Sequence, residues 1–286
     1  MKVRMYNVGF GDCFCLRDRK KSLLVDFGTN NSRIEGRPRR EIFDVIISDL
    51  STIKSKNLLL THFHMDHLSG LLYMMKKKDI SVDFGKIYLP DVFSKKEMSR
   101  TLVLLLLADL LKESGLPSRQ VSLFALVDAL LENKQNVELL SRGKLFENKY
   151  QALWPDTDVI RKETDEVYNR ICEDGKFKEV MDVLLEFAEK LRLIVWSMTA
   201  EGNKPAETVE KETDSTASEL TEQPEVRQKI IRAYVYEREF RRIKALPDFK
   251  KLLAWLNENQ INLRQFKHKI SIVFPVSYTH LRAHET

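Results

Sequence analysis

The sequence has little cysteine, no long apolar run and no strong excess of charge of one sign, and each absence removes a class of protein. Its three cysteines, Cys13, Cys15 and Cys172, are odd in number and form no CxxC pair, which argues against a disulfide framework and a cysteine-based zinc site. Cys13 and Cys15 read instead as residues on one face of a strand. The most apolar stretch, "LVLLLLADLL" at 102–111, is broken by Asp109 and falls far short of the roughly 20 residues that cross a bilayer. The N-terminus, "MKVRMYNVGFGDCF", has no sustained apolar segment or small-residue cleavage site. No secretory signal or membrane partner is therefore expected, and a cytoplasmic location follows. The formal charge of +5 comes from 47 basic and 42 acidic residues spread along the chain, with only short runs such as 76–78. That pattern reads as ordinary solvated surface and is weak support for a polyanion partner.

What is present is a globular composition. With 286 residues and 43% apolar content, the chain can bury a sizeable core as one large domain or two small ones. "MKVRMYNV", "CFCLRD" and "SLLVDFG" predict three strands joined by turns at Gly9 to Gly11 and at 19–21, a meander suited to one edge of a sheet. Ile42, Val45, Ile46 and Leu50 have helical spacing, and "NLLLTH" predicts a short buried strand. "HLSGLLYMMKKK" then predicts a helix and "KIYLP" another strand, an α/β arrangement.

From about residue 95 the texture becomes helical. "KKEMSRTLVLLLLADLLKES" and "PSRQVSLFALVDALLENK" carry apolar residues at helical spacing. "KYQALWP" at 149–155 interrupts them as a strand, and "DEVYNRICEDGKFKEVMDVLLEFAEKLRLIVW" resumes helix with a break near Gly175. Residues 198–225, rich in Glu, Thr and Ser, are expected to be a disordered loop, because they cannot bury enough apolar surface to offset ordering entropy. "VRQKIIRAYVYEREFRRIKAL" and "DFKKLLAWLNEN" predict further helix, and "KISIVFPV" at 269–276 a strand.

The chemistry concentrates in "LLLTHFHMDHLSG", residues 58–70. His62 and His64 are two apart, so strand geometry carried to this point would place both imidazoles on one face. Asp66 and His67 follow where the chain turns into a helix. Imidazole and carboxylate suit borderline cations such as Zn²⁺, and a catalytic site needs three such ligands with a position left for water. Four candidate ligands in six residues are too many for one open site and suggest a pair of metals. Half of the chain's six histidines lie in this window.

"THFHMDH" is similar to the HxHxDH motif of metallo-β-lactamase-fold hydrolases. "LLVDFGT" resembles the earlier family strand in which an aspartate, here Asp26, precedes a glycine-containing turn. "NVGFGDCF" resembles the "VGQGD" start of the branch that includes the C-terminal domain of ComEC-type competence proteins, with Phe10 in place of glutamine. The resemblance implies an α/β fold, an incomplete αββα sandwich with a large helical insertion. Residues 1–94 would be the N-terminal half of that domain, 95–265 a mostly helical insertion, 266–276 a returning core strand and 277–286 a non-native tail.

By the same resemblance, His62 and His64 bind a first metal and Asp66 and His67 a second, with Asp66 also orienting the attacking water or hydroxide. The expected cofactor is a pair of Zn²⁺ ions, with Mn²⁺ or iron as alternatives. A metal lowers the pKa of bound water from about 15.7 to about 7, supplying hydroxide as nucleophile, and polarises the scissile group. Asp26 and Asp12 are expected to support the ligands or a turn. The implied function is metal-dependent hydrolysis, with nucleic acid or another phosphodiester as substrate. The alternative is a non-catalytic binding or defence-associated module whose helical insertion contacts a protein partner.

The family completes its site with a later histidine, a bridging aspartate and a final histidine. Past residue 67 this chain has His268, His280 and His284. His268 lies at the start of a predicted strand and reads as surface. Asp156 and Asp158 in "WPDTD" read as turn residues. "SYTHLRAHET" resembles a translated sequencing-adapter tail, so His280 and His284 are set aside, and the chain is expected to be an inactive fragment with weak metal affinity.

Overall fold

A computed structural model of the chain describes residues 1–18, 21–77, 83–112, 122–133, 135–173, 175–200, 202, 242–243, 245–261, 263 and 269–273. Strands β1 (Lys2–Met5), β2 (Phe14–Arg17) and β3 (Ser22–Val25) form the expected meander, with Lys2 opposite Arg17 and Phe14 opposite Val25. A small hairpin, β4 (Arg33–Ile34) and β5 (Arg37–Pro38), leads into α1 (Arg39–Ser51). Then come β6 (Lys56–Leu59), α2 (Met65–Met75) and β7 (Ile87–Pro90). The alternation of strand and helix makes β6 and β7 parallel to β3, because each crossover returns the chain to the same end of the sheet. Leu58 and Leu59 are fully buried, as expected of a strand covered on both faces.

Helices α3 (Ser99–Lys112) and α4 (Ser122–Glu132) follow, and then β8 (Val137–Leu140), which pairs in parallel with β7 from Ile87–Val137 to Pro90–Leu140. The central mixed sheet therefore has the order β1-β2-β3-β6-β7-β8. Its last strand lies inside the segment that sequence reading took as a helical insertion. "VELL" is four residues long, too short to show a period, and was absorbed into the helical pattern around it. The chain continues through the hairpin β9 (Leu145–Phe146) and β10 (Tyr150–Gln151), α5 (Thr157–Cys172), α6 (Lys178–Trp196) and α7 (Phe249–Glu258).

One face of the sheet carries the large core. Helix α3 packs between α5 and α6, α4 packs on α2, and α1 lies beside α2. Residues 101–110 of α3 are all buried, so this helix is surrounded rather than amphipathic. The other face gathers Leu16, Leu23, Val25, Leu59, Tyr88 and Leu140 beneath Phe146 and Tyr150 of the β9–β10 hairpin and Ile272. The strand expected at 269–276 is, among its described residues, a single bridge between Trp154 and Val273. It is fastened by Ile272 N–H to Thr61 O at 2.8 Å and Leu153 N–H to Val273 O at 2.7 Å. Residues 203–225 of the loop expected at 198–225, the tail at 277–286 and His268 lie outside the described residues. No helix among the described residues is long and apolar enough to cross a membrane.

Candidate metal centre

Because β3, β6, β7 and β8 run parallel, the residues that follow them gather at one edge, where open α/β sheets bind ligands. Asp26 follows β3 there. It is a non-glycine residue with φ +53°, a conformation that aspartate tolerates better than most side chains. This local cost points its carboxylate under the next strand. The side chain, 2% exposed, accepts from Thr61 N–H (2.7 Å, Oδ1), from the Thr61 hydroxyl (2.7 Å, Oδ2) and from His67 Nδ1 (2.9 Å, Oδ2).

The histidine loop departs from strand geometry after Leu59, so His62 and His64 do not share a strand face as predicted. The chain bends at His62 and Phe63, and His64 becomes the residue before the first turn of α2. The rings still converge. His62 lies 4.8 Å from His64 and 3.8 Å from His67 between ring centroids. Asp66 and His67 both fall in the first turn of α2, where the helix dipole favours a carboxylate. Asp66 Oδ2 is 3.8 Å from His67 Nε2.

Hydrogen bonding decides which ring nitrogen each buried histidine offers. Asp26 Oδ2 lies 2.9 Å from His67 Nδ1, so Nε2 is the ring nitrogen turned away from Asp26 and, in the neutral ring protonated on Nδ1, the one that could meet a cation. In His62 it is again Nδ1 that is engaged, here by Thr61. The single hydroxyl proton of Thr61 goes to Asp26, so at 3.0 Å His62 Nδ1 donates to the Thr61 oxygen. Thr61 was given no role from sequence, although it directly precedes the motif. Burial pushes the Asp26 carboxyl above its ordinary value, partly offset by the bonds from His67 and Thr61. Burial would lower His67, but the hydrogen bond and charge of Asp26 outweigh it and raise the imidazole.

The loop before β2 is clamped onto this site. Asp12 N–H donates to Asp66 O at 3.3 Å, Gly28 N–H to Asp12 O at 3.2 Å, and Phe27 N–H to His67 O at 2.7 Å. Glycine is required for the close approach at two points. A Cβ on Gly11 would lie 2.2 Å from Gly28 O and 2.7 Å from Asp66 O, and one on Gly28 would lie 2.6 Å from Leu68 N. Among the described residues, Asp12, Asp26 and His67 are the group of three whose ligand atoms all lie within 4.8 Å of one another. Asp12 Oδ2 is 3.6 Å from His67 Nδ1. That nitrogen already carries the proton bonded to Asp26, so this trio is a support for His67, and the donor set on the Nε2 side fits a borderline cation.

Residues 6–91 match the family model described as the metallo-beta-lactamase superfamily. The matched segment runs from the clamped loop through β7, so it contains Asp12, Asp26 and the whole histidine loop and stops before α3. No curated protein and no solved structure matches the chain. A match to this superfamily suggests metal-dependent hydrolysis in general.

Two other aspartates have structural roles. Asp156 caps α5, accepting from Asp158 N–H and Val159 N–H at 3.2 Å, and pairs with Arg142 at 3.1 Å, in keeping with its reading as a turn residue. Asp91, which sequence reading passed over, sits at the end of β7 and accepts from Ser94 N–H and its hydroxyl at 3.1 and 2.7 Å. It holds a turn at the same edge of the sheet.

Proposed function

We propose that this chain is a metal-dependent hydrolase in which His62 and His64 hold one Zn²⁺ ion, and Asp66 and His67 a second, with a phosphodiester as the substrate class. The observation that carries the reading is the hydrogen bonding of His62 Nδ1 to Thr61 and of His67 Nδ1 to Asp26, which holds both rings within the four-residue cluster of His62, His64, Asp66 and His67. A divalent ion bound there supplies Lewis acidity, polarising the scissile group and lowering the pKa of water.

The rest is the work of side chains. Asp26 fixes the His67 ring and, through the Thr61 hydroxyl, the His62 ring. Asp66, held in the first turn of α2, orients the attacking water. Gly11 and Gly28 let the backbone press against Asp66 and Leu68, so this orientation is set before substrate arrives.

The test is turnover by the zinc-loaded chain on a chromogenic phosphodiester and, in parallel, on acyl esters, thioesters and amides. Phosphodiester cleavage that His64→Ala and Asp66→Ala abolish is expected. Acyl turnover without phosphodiester turnover would overturn the substrate class, and full activity in both variants would overturn the site.

A further inference from the structure

The β4–β5 hairpin and the start of α1 concentrate charge that the even overall distribution hides. Residues 33–41 hold four arginines, Arg33, Arg37, Arg39 and Arg40, against Glu35 and Glu41. All six are exposed, while Ile34 between them is buried and pins the hairpin to the core. Glu35 is drawn aside by Asn7 Nδ2 at 2.7 Å, and Glu41 meets Arg37 only at 3.5 Å. Arg33 spends Nε and Nη2 on Gly36 O. Among the described residues, neither Arg39 nor Arg40 has an acidic side-chain partner. Both stand in the first turn of α1, where the helix dipole disfavours cations.

The hairpin is joined to the metal loop through Phe10. Arg39 N–H donates to Ser32 O at 3.0 Å, and the neighbouring Asn31 accepts from Phe10 N–H at 3.1 Å. Phe10 O accepts from Asn30 N–H at 2.8 Å and from the Thr29 hydroxyl at 3.2 Å. The backbone of Phe10 is thus held at both ends, yet its side chain is 80% exposed. Two residues later Asp12 donates its N–H to Asp66 O. The exposed Phe10 ring is thus carried on a backbone tied both to the hairpin side, through Asn31, and to the metal loop, through Asp12.

We propose that this face binds single-stranded nucleic acid, with Arg33, Arg37, Arg39 and Arg40 taking phosphates and the Phe10 ring stacking on a base beside the metal loop. The inference rests on the phosphodiesterase reading only for its link to turnover. Guanidinium forks match phosphate oxygens in pairs, which the compact lysine ammonium does not. Every cation in the cluster is arginine. An aromatic face next to a basic track is the arrangement that holds single strands, since every base has a face to stack. An acidic peptide would use the arginines but not the ring.

The test is fluorescence anisotropy of a labelled oligothymidylate with the full chain in EDTA, where no turnover complicates binding. Arg39→Ala/Arg40→Ala is expected to weaken binding about tenfold and to lower the slope of log affinity against log salt by about 1.4, two phosphate contacts' worth on a single strand. Arg39→Lys/Arg40→Lys should restore the salt slope without the full affinity. Phe10→Ala should weaken binding about fivefold or more. Unfolding curves, unchanged for these exposed positions, serve as the folding control. Unaltered oligonucleotide affinity in the Arg39/Arg40 and Phe10 variants would overturn the proposal. So would polyglutamate or phosphatidylserine vesicles binding as tightly as the oligonucleotide with Phe10→Ala indifferent. Loss of phosphodiester turnover with these binding effects intact would count against the hydrolase reading alone.

Discussion

The carboxyl edge of the sheet and the helical layer around α3 both bury polar side chains, and they use them differently. In the helical layer each such group is consumed in holding helices together. Glu189 accepts from Arg192 Nη2 at 2.6 Å and from the Ser99 hydroxyl, Arg192 Nη1 reaches Phe93 O at 3.2 Å, and the Thr101 and Thr164 hydroxyls meet at 3.1 Å. Burial would raise the Glu189 carboxyl, but Arg192 and Ser99 outweigh it and hold it below its ordinary value. At the carboxyl edge, the hydrogen bonds of Asp26 and Thr61 engage one nitrogen of His67 and His62 and turn the opposite nitrogen toward the cluster. Buried polarity by itself does not mark a site. The marker is a hydrogen-bond network that fixes one nitrogen of each ring and brings the rings of neighbouring histidines together.

Removing the carboxylate that orders the edge should do the most damage to both stability and metal binding. Asp26→Ala leaves Thr61 N–H and His67 Nδ1–H buried without their acceptor, a loss of about 3–5 kcal/mol in chemical denaturation. Metal affinity should fall about 10- to 100-fold in a Co²⁺ titration. Leu107→Ala, at a fully buried position of α3, should cost about 2–5 kcal/mol and leave metal affinity unchanged. A drop in affinity there would break the separation between the two regions.

Thr61→Val is the sharper probe, since it keeps shape and deletes one hydroxyl. About 1–2 kcal/mol of stability and a several-fold drop in metal affinity are expected, because His62 loses the acceptor that sets its proton. The smallest effect is a pH dependence far from both regions. Burial would raise Asp49, but Tyr6, Arg4 and Arg17 together hold it below its ordinary value of 3.8. Its contribution to stability is therefore present above pH 3.8 and lost as pH falls through the lower folded-state value. The unfolding midpoint of wild type should converge on that of Asp49→Asn only below this point. A constant gap down to the lowest pH would contradict the pairing.

Much of the first 91 residues was legible because their signals are local. The meander is short strands separated by a turn at Gly9 to Gly11. The motif at His62 to His67 names candidate ligands by type and spacing, and Asp26 stands beside a glycine turn. β8 was not legible, because four residues between helices carry no period and its partner β7 is distant in sequence. The role of Thr61 depends on a hydroxyl that meets a carboxylate 35 residues away. The arginines at 33–40 are adjacent in the sequence but vanish in a whole-chain charge of +5, and the tie of their hairpin to the Phe10 backbone is visible only in the fold.

The central claim is that the cation binds on the Nε2 side of His67 and that Asp26 orders that ring rather than binding metal. The most direct measurement is an anomalous-scattering map from crystals of the chain soaked in Zn²⁺. The account predicts an ion among His62, His64, Asp66 and His67. An ion among Asp12, Asp26 and Nδ1 of His67 would contradict it.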